Sequence, residues 1–341
     1  IVGIIITLLI LFFIFAGIIS SATEEETVEL KPNTVLYLEL DKPIVDREPD
    51  NPLKKLDIEG LSEAQIGLDN ILLNIEKAKK NENIKGIFLD LDIVPTGIST
   101  IEEIRNALLD FKKDGKFIIA YGEMVNQSAY YLSTAADKVY MNPEGMLMFK
   151  GMSAELIFIK GLLEKLEIEP QIIRHGKYKS AVEPLINEQM SEANREQTKA
   201  FISSIWNHII TNISESRGIE VADLNKFADS LSIKTPKHAV ELKLIDGEKY
   251  YDEIIAEIKE KLEIEKDKKL HTVSLGKMDK VPKQKDYKGL AEDKIAVIYA
   301  AGTIIPGEGK DNTIGSESYR KAIKKARKDE ADVRAAGEVL D

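Results

Sequence analysis

Ile84-Lys-Gly-Ile-Phe-Leu-Asp-Leu91 and Lys116-Phe-Ile-Ile-Ala-Tyr121 are the two stretches that decide the fold. Each is a short, nearly continuous apolar run, which is typical of a strand buried on both faces of a parallel sheet. Between them, residues 100–113 carry apolar side chains at helical spacing, with Thr100 as the predicted N-cap. Strand, helix and strand in this order predict a βαβ unit with a right-handed crossover.

The same alternation continues on both sides of this unit. Further strands are predicted at 34–40, 138–141 and 170–174, and further helices at 67–80, 127–136, 156–166, 191–214, 226–230, 236–242 and 251–262. Strands that alternate with helices of this length indicate an α/β domain.

The first nineteen residues, Ile1–Ile19, carry no charge. About 20 apolar residues in a helix span the hydrocarbon core of a bilayer, so residues 1–22 are predicted to be a transmembrane anchor. A cleaved signal peptide is the alternative because Ser20 and Ala22 are small, but its apolar region is usually only about 7–15 residues long. No Met and no basic residue precede Ile1, so we expect the natural N-terminus to be missing. The charge rule for membrane orientation therefore does not apply directly.

Composition removes several classes of function. The net charge is −11, with acidic and basic residues interspersed, which argues against a nucleic-acid partner. There is no Cys, so disulfide and thiolate chemistry are excluded. The four His residues are scattered without the spacing of a metal site. No metal and no other cofactor is predicted.

An internal repeat marks the C-terminal part of the chain. Residues 294–299 and 302–306 resemble residues 34–40 and 42–45, and Ile323-Lys-Lys-Ala-Arg-Lys-Asp-Glu330 resembles Ile75-Glu-Lys-Ala-Lys-Lys-Asn-Glu82. Such self-similarity predicts the start of a second copy of the fold. Where the first copy has its buried strand, the second reads Ala335-Ala-Gly-Glu-Val-Leu-Asp341, which does not form one. We therefore expect a truncated or out-of-frame C-terminus, with a natural stop as the alternative.

These observations predict four parts. They are an anchor at 1–22, a first domain at 30–265, an exposed lysine-rich connector at 266–291 and a truncated start of a second domain at 292–341.

The segment with chemical interest is Arg174-His-Gly-Lys-Tyr-Lys-Ser-Ala-Val-Glu-Pro184. Small and apolar residues follow Lys179 and would shield its ammonium group from water. Burial favours the neutral amine, which can act as a general base toward a serine hydroxyl. The pattern by itself also fits an ordinary solvated surface lysine.

Three strings carry a resemblance to a known family. "GKYKSAVEPLINEQMS", "NQSAYYLSTAADKVYMNPEG" and "AVELKLIDG" are similar to segments of the S49 serine peptidases, the signal peptide peptidase A group. The resemblance implies a ClpP/crotonase-like βαβ superhelical domain, preceded by one transmembrane helix and followed by a second, tandem copy. It also implies a Ser/Lys dyad in which Lys179 is the general base.

The nucleophile position departs from the family pattern. The family places its nucleophilic serine in the second copy, in an "SGGYY"-type segment at the start of a helix. Here Gln127-Ser-Ala-Tyr-Tyr131 stands at the first-copy position, so Gln127 replaces the serine. Ser128 is one position off, which turns its side chain by about 100° on a helix, and Ser180 is only a neighbour of Lys179. The expectation is a chain that holds the base without a nucleophile.

The resemblance implies a membrane-bound serine endopeptidase that degrades cleaved signal peptides and other hydrophobic peptides. It implies a single-pass protein of the bacterial inner membrane, with its soluble part on the periplasmic side, and a homo-oligomer that is a tetramer by analogy. One alternative is a non-catalytic peptide-binding or assembly module of the same fold, which the missing serine would favour. A crotonase-type acyl-CoA enzyme is the other, and the anchor and the duplication argue against it.

Overall fold

The computed structural model describes residues 27–47, 65–282, 295–310 and 313–328. These residues fall into two compact units. The larger unit comprises residues 31–41 and 83–274, and the smaller one comprises the described parts of 1–30, 42–82 and 275–341. The predicted anchor at 1–22 lies outside the described residues. Among the helices that are described, none combines the length and the apolar character that crossing a membrane requires.

Ten strands and eleven helices lie within the described residues. In chain order they are β1 (Thr34–Glu39), β2 (Ile44–Val45), β3 (Ile66–Gly67), α1 (Leu68–Lys80), β4 (Ile84–Asp90), α2 (Ile98–Lys112), β5 (Phe117–Val125), α3 (Gln127–Ser133), β6 (Lys138–Leu147), α4 (Lys160–Lys165), α5 (Glu183–Ile186), α6 (Glu192–Arg217), α7 (Val221–Asp229), α8 (Pro236–Glu241), β7 (Gly247–Glu248), α9 (Tyr251–Lys261), β8 (Thr272–Ser274), α10 (Leu275–Met278), β9 (Thr303–Ile305), β10 (Thr313–Gly315) and α11 (Ser316–Lys328).

A six-stranded sheet organises the larger unit. Its strand order is β7-β6-β5-β4-β1-β8, and every neighbouring pair is parallel. At its centre Phe88 of β4 lies between Tyr37 of β1 and Ile119 of β5. The predicted α/β class and the βαβ unit β4-α2-β5 are therefore confirmed.

Both faces of this sheet are buried, as the apolar runs of its strands require. On one face α9 packs against a cluster of buried side chains, namely Val35, Phe88, Phe117, Ile119, Tyr121, Tyr140, Ile254, Ile258, Leu262 and Leu270. Side chains alternate between the two faces of a strand, so the residues between these belong to the opposite face. Leu36, Ile87 and Ile118 are fully buried there, and α2 and α3 contact β5.

The smaller unit contains one local arrangement twice. β2 pairs in parallel with β3, and α1 follows directly; β9 pairs in parallel with β10, and α11 follows directly. Ile66-Gly67 and Ile314-Gly315 open the two helices at corresponding places. This agreement supports the sequence repeat, although the residues described after 295 do not amount to a second domain. The predicted domain boundaries remain a prediction.

Four local predictions are wrong. Residues 170–174 form no strand, because within the described chain no neighbouring strand pairs with them; Ile173 is fully exposed. Residues 295–299, which the repeat predicts to be the counterpart of the strand at 34–40, likewise form no strand. The helix predicted over 156–166 is shorter than expected and is limited to α4 (Lys160–Lys165). Thr100 is not an N-cap, since α2 begins at Ile98 after the extended residue Gly97.

Asp246 holds the start of the edge strand β7 against β6. Its carboxylate accepts hydrogen bonds from the Val139 amide at 2.8 Å and from Arg217 Nη1 at 2.9 Å, and its own amide donates to the Val139 carbonyl at 2.7 Å. Burial opposes ionisation of the carboxyl group, but these hydrogen bonds outweigh it and lower the pKa of Asp246. The string "LIDG" thus has a structural role.

We predict that Asp246→Asn lowers the free energy of unfolding at pH 7 by about 2 kcal/mol, because it leaves the Arg217 guanidinium without its carboxylate. A lowered native pKa contributes stability above the unfolded-state pKa of about 3.9, and that contribution is lost as the pH falls through the native value. Urea unfolding should therefore show the variant deficit shrinking below about pH 4. The exposed Asp267→Asn is the matched control, and a deficit that stays constant with pH would contradict the assignment.

Candidate active site

Helix α3 is positioned by the turn that follows β5. Its N-cap residue Asn126 accepts a hydrogen bond from the Ala129 amide at 2.8 Å through Oδ1, and the Asn126 amide donates to the Asp92 carbonyl. Asparagine is a favoured N-cap because its side chain satisfies an otherwise free helical N–H. The first helical position is thereby fixed for Gln127.

The side chain of Gln127 holds the backbone that leaves β6. Its Oε1 accepts hydrogen bonds from the amides of Lys150 at 3.1 Å and Gly151 at 3.0 Å, and its Nε2 donates to the Gly151 carbonyl at 3.1 Å. Both ends of the amide are therefore used by the backbone. Gln127, the residue predicted to replace a serine, therefore has a structural function in this chain.

Ser128, the second residue of α3, is half-buried and makes no hydrogen bond through its side chain to another described residue. The next two tyrosines anchor the helix. Tyr130 donates to the Leu244 carbonyl at 2.8 Å, and Tyr131 contacts Glu102 through its hydroxyl and Arg105 through its ring. Burial is the main reason why the pKa of Tyr131 is raised to about 12. The tyrosines of the "QSAYY" string therefore serve packing.

Lys179 lies on an exposed loop between α4 and α5. Its ammonium group makes no hydrogen bond or ion pair with any described residue, and none links it to Gln127 or Ser128. Its amide donates to the Gly176 carbonyl at 3.4 Å, and Gly176 has φ +110°, a conformation that suits glycine. The expected shielding by the following small residues is not present: Lys179 is exposed in this chain.

The loop that carries Lys179, residues 166–182, is called the lysine loop. A buried carboxylate that the sequence did not reveal lies at its C-terminal end. Glu183 is 1% exposed and accepts hydrogen bonds from Ser191 Oγ at 2.6 Å, the Ser191 amide at 3.2 Å and Asn194 Nδ2 at 3.0 Å. Arg174 Nη1 lies 3.6 Å from its Oε1. The hydrogen bond from the Ser191 hydroxyl is the main reason why the pKa of Glu183 is lowered, despite burial.

A second polar group occupies the carboxyl ends of the central strands. Tyr37 donates to Asp90 Oδ2 at 2.6 Å, and the amides of Glu123 and Met124 donate to Asp92 Oδ1 at 2.6 and 3.0 Å. Burial, with a smaller repulsion from Asp92 and Glu123, raises the pKa of Asp90. Among the described residues, no three His, Asp or Glu side chains are placed to hold a metal ion.

Comparison with known proteins gives one family and several relatives. Residues 110–265, which include α3 and the lysine loop, match Peptidase family S49. The chain is 34% identical over 251 residues to the chloroplastic serine protease SPPA of Arabidopsis thaliana, covering 74% of this chain and 37% of the relative. It is 29% identical over 283 residues to Protease 4 of Haemophilus influenzae, covering 78% and 44%.

The chain thus spans about two fifths of the length of these curated relatives. A solved structure of a membrane-bound stomatin-specific protease covers 71% of this chain and 97% of its own, with a TM-score of 0.39 and 13% identity. That likeness is too remote to support an inference.

We predict that Gln127→Ala lowers the free energy of unfolding by about 1 kcal/mol, because three hydrogen bonds to a partly exposed backbone are lost. Gln127→Glu should fall between wild type and Gln127→Ala, since a carboxylate keeps the acceptor but repels the Gly151 carbonyl. Urea unfolding measures both. The exposed Gln197→Ala is the control. Equal stability of the two alanine variants would show that the hydrogen bonds of Gln127 to Lys150 and Gly151 do not stabilise the fold.

Proposed function

We propose that this chain, whose residues 110–265 match Peptidase family S49, supplies the general-base half of a serine endopeptidase. The S49 domain and the relatives named as proteases support a serine-type endopeptidase. The observation that carries the proposal is the contrast between two positions. Lys179 has a free, exposed ammonium group on an anchored loop, whereas Gln127 is committed to the backbone.

In the proposed reaction the neutral amine of Lys179 removes the proton from a serine hydroxyl outside the described residues. The serine oxygen attacks the peptide carbonyl, and the tetrahedral intermediate collapses as the Lys179 ammonium returns the proton to the leaving amine. Water then releases the acyl group by the same route. Because Lys179 is exposed here, the apolar cover that favours its neutral form has to come from the surface that brings the serine.

The proposed substrates are cleaved signal peptides and other hydrophobic peptides. The segment that precedes Lys179 supports an apolar partner, because it exposes several large apolar side chains: Ile157 80%, Leu162 55%, Leu166 58%, Ile168 51% and Ile173 104%. A homo-oligomer, by analogy a tetramer, would bury part of this surface. The apolar run Ile1–Ile19 supports attachment to a membrane. The proposed location, the bacterial inner membrane with the domain on the periplasmic side, follows the resemblance to the family.

A non-catalytic peptide-binding or assembly module is the second candidate. The position of Gln127 favours it, since the amide cannot attack a carbonyl and its hydrogen bonds are already used. The two candidates differ in whether the lysine takes part in chemistry.

We predict that Lys179→Ala, placed in a chain that also carries the proposed serine, lowers kcat/KM for a hydrophobic peptide by roughly a thousandfold. The melting temperature should be unchanged, because the exposed Lys179 side chain makes no hydrogen bond or ion pair with a described residue. Lys199→Ala, an exposed lysine on α6, controls for the loss of a positive charge. Full turnover by Lys179→Ala would remove the general-base assignment.

We also predict that the 341-residue chain alone does not react with a fluorophosphonate probe, because within the described residues no hydrogen bond links the hydroxyl of Ser128 or Ser180 to a basic side chain. Labelling is read by mass spectrometry of the intact chain, with a known serine protease as the positive control. Stoichiometric labelling would mean that this chain holds its own nucleophile and that the half-site proposal is wrong.

A further inference from the structure

Glu183 carries a buried charge, whereas Lys179, four residues earlier, carries an exposed one. Its carboxylate is 1% exposed, whereas Lys179 stands in solvent on the same loop. An ionised carboxylate is buried only where hydrogen bonds and charges replace its water. Ser191, Asn194 and Arg174 provide these partners. Removing one partner of such a group is costly, so the arrangement persists as a unit.

Arg174 connects this carboxylate to the lysine. Its Nη1 lies 3.6 Å from Glu183 Oε1 and donates a hydrogen bond to the Lys179 carbonyl at 3.4 Å. The Glu183 amide donates to the Ser180 carbonyl at 2.9 Å. The Arg174 guanidinium therefore connects the buried Glu183 carboxylate to the backbone of Lys179.

The other side of the unit is the start of α6, the longest helix described. Ser191 is its N-cap and also donates its hydroxyl to Glu183, and Asn194 lies in its first turn. Tyr178 donates to Glu196 Oε2 at 3.2 Å, one turn further along the helix. These hydrogen bonds attach the lysine loop to α6, a helix of 26 residues.

We propose that Glu183 is the positioning residue of Lys179: through Arg174 and the first turn of α6 it fixes the backbone from which the lysine side chain extends. This inference rests on the function proposed above and adds to it the group that orients the base. Glu183 touches no reacting atom. Its effect on the reaction is geometric, since a small misplacement of a catalytic group costs rate even when binding is intact.

A purely structural role makes a different prediction. If Glu183 only stabilised the fold, its replacement would lower the melting temperature and leave the folded fraction with a normal lysine loop. A positioning role predicts a change confined to the loop, with the rest of the domain unaltered. Hydrogen exchange separates these cases, because the amides of Lys179, Ser180 and Glu183 are all bonded within the loop.

The first experiment uses the 341-residue chain and does not depend on peptidase activity. Glu183→Gln is compared with Glu192→Gln, an exposed carboxylate in the first turn of α6. We expect Glu183→Gln to speed amide exchange in residues 174–183 by about tenfold and to leave the central strands unchanged. Unchanged exchange in the loop, or an equal increase throughout the domain, would overturn the proposal.

Arg174→Gln keeps the proposal testable if Glu183→Gln does not fold, because Arg174 is partly exposed and its loss is tolerated more easily. We expect the same loop-confined increase in exchange. The double variant should be no worse than Glu183→Gln alone, since both changes break one connection. Additive effects would mean that Glu183 does not act through Arg174.

The second experiment uses a chain that also carries the proposed serine. Glu183→Gln should lower kcat by about a hundredfold with KM nearly unchanged, and Glu183→Asp should recover part of the loss. If Lys179→Ala stays active, the proposed function fails, whatever Glu183→Gln does. If Lys179→Ala is inactive but folded Glu183→Gln keeps its kcat and pH profile, the positioning role alone is wrong.

Discussion

Parallel pairing of the central strands is the constraint on which the rest of the structure depends. Parallel neighbours cannot be joined by tight turns, so each connection has to cross the sheet, and both faces become buried by what crosses. The apolar runs at β4 and β5 satisfy this requirement on both faces. The same constraint places the ends of the strands, and everything attached to them, at one edge. α3 with Gln127 begins at that edge, where β5 ends.

The chain between β6 and α6 is held differently, because no strand of the described residues pairs with it. It contains only two short helices, and many of its apolar residues are exposed. Two polar clamps define its ends: Gln127 fixes the backbone at Gly151 and Glu183 fixes the return toward Ser191. Lys179 lies inside the second clamp. Hydrogen bonds from rigid elements therefore provide the order that strand pairing provides elsewhere.

This difference also explains what the sequence could and could not predict. The strands at 34–40, 84–91 and 116–121 are predicted correctly, because their apolar runs indicate a buried strand whichever strand pairs with them. The strand at 170–174 was predicted from a segment with only two apolar residues, Ile172 and Ile173; pairing is a long-range property, and no strand in the described part of the chain pairs with this segment. The exposure of Lys179 depends on what packs over the loop, which neighbouring residues do not show. Glu183 gave no periodic signal, because α5 is a single turn.

The two clamps lead to a separation of chemical roles. A serine hydroxyl at position 127 would be too short to reach both the amides and the carbonyl that the Gln127 side chain reaches, so the local backbone would lose its support. A residue that holds this backbone is therefore poorly suited to attack a carbonyl. Lys179 is in the opposite situation, since its backbone is held by Arg174 and its amine bonds to no residue that the structure describes. Under the proposed function, position 127 supports the backbone and Lys179 serves as the base. The nucleophile would then come from another surface, which would also shield the lysine from water.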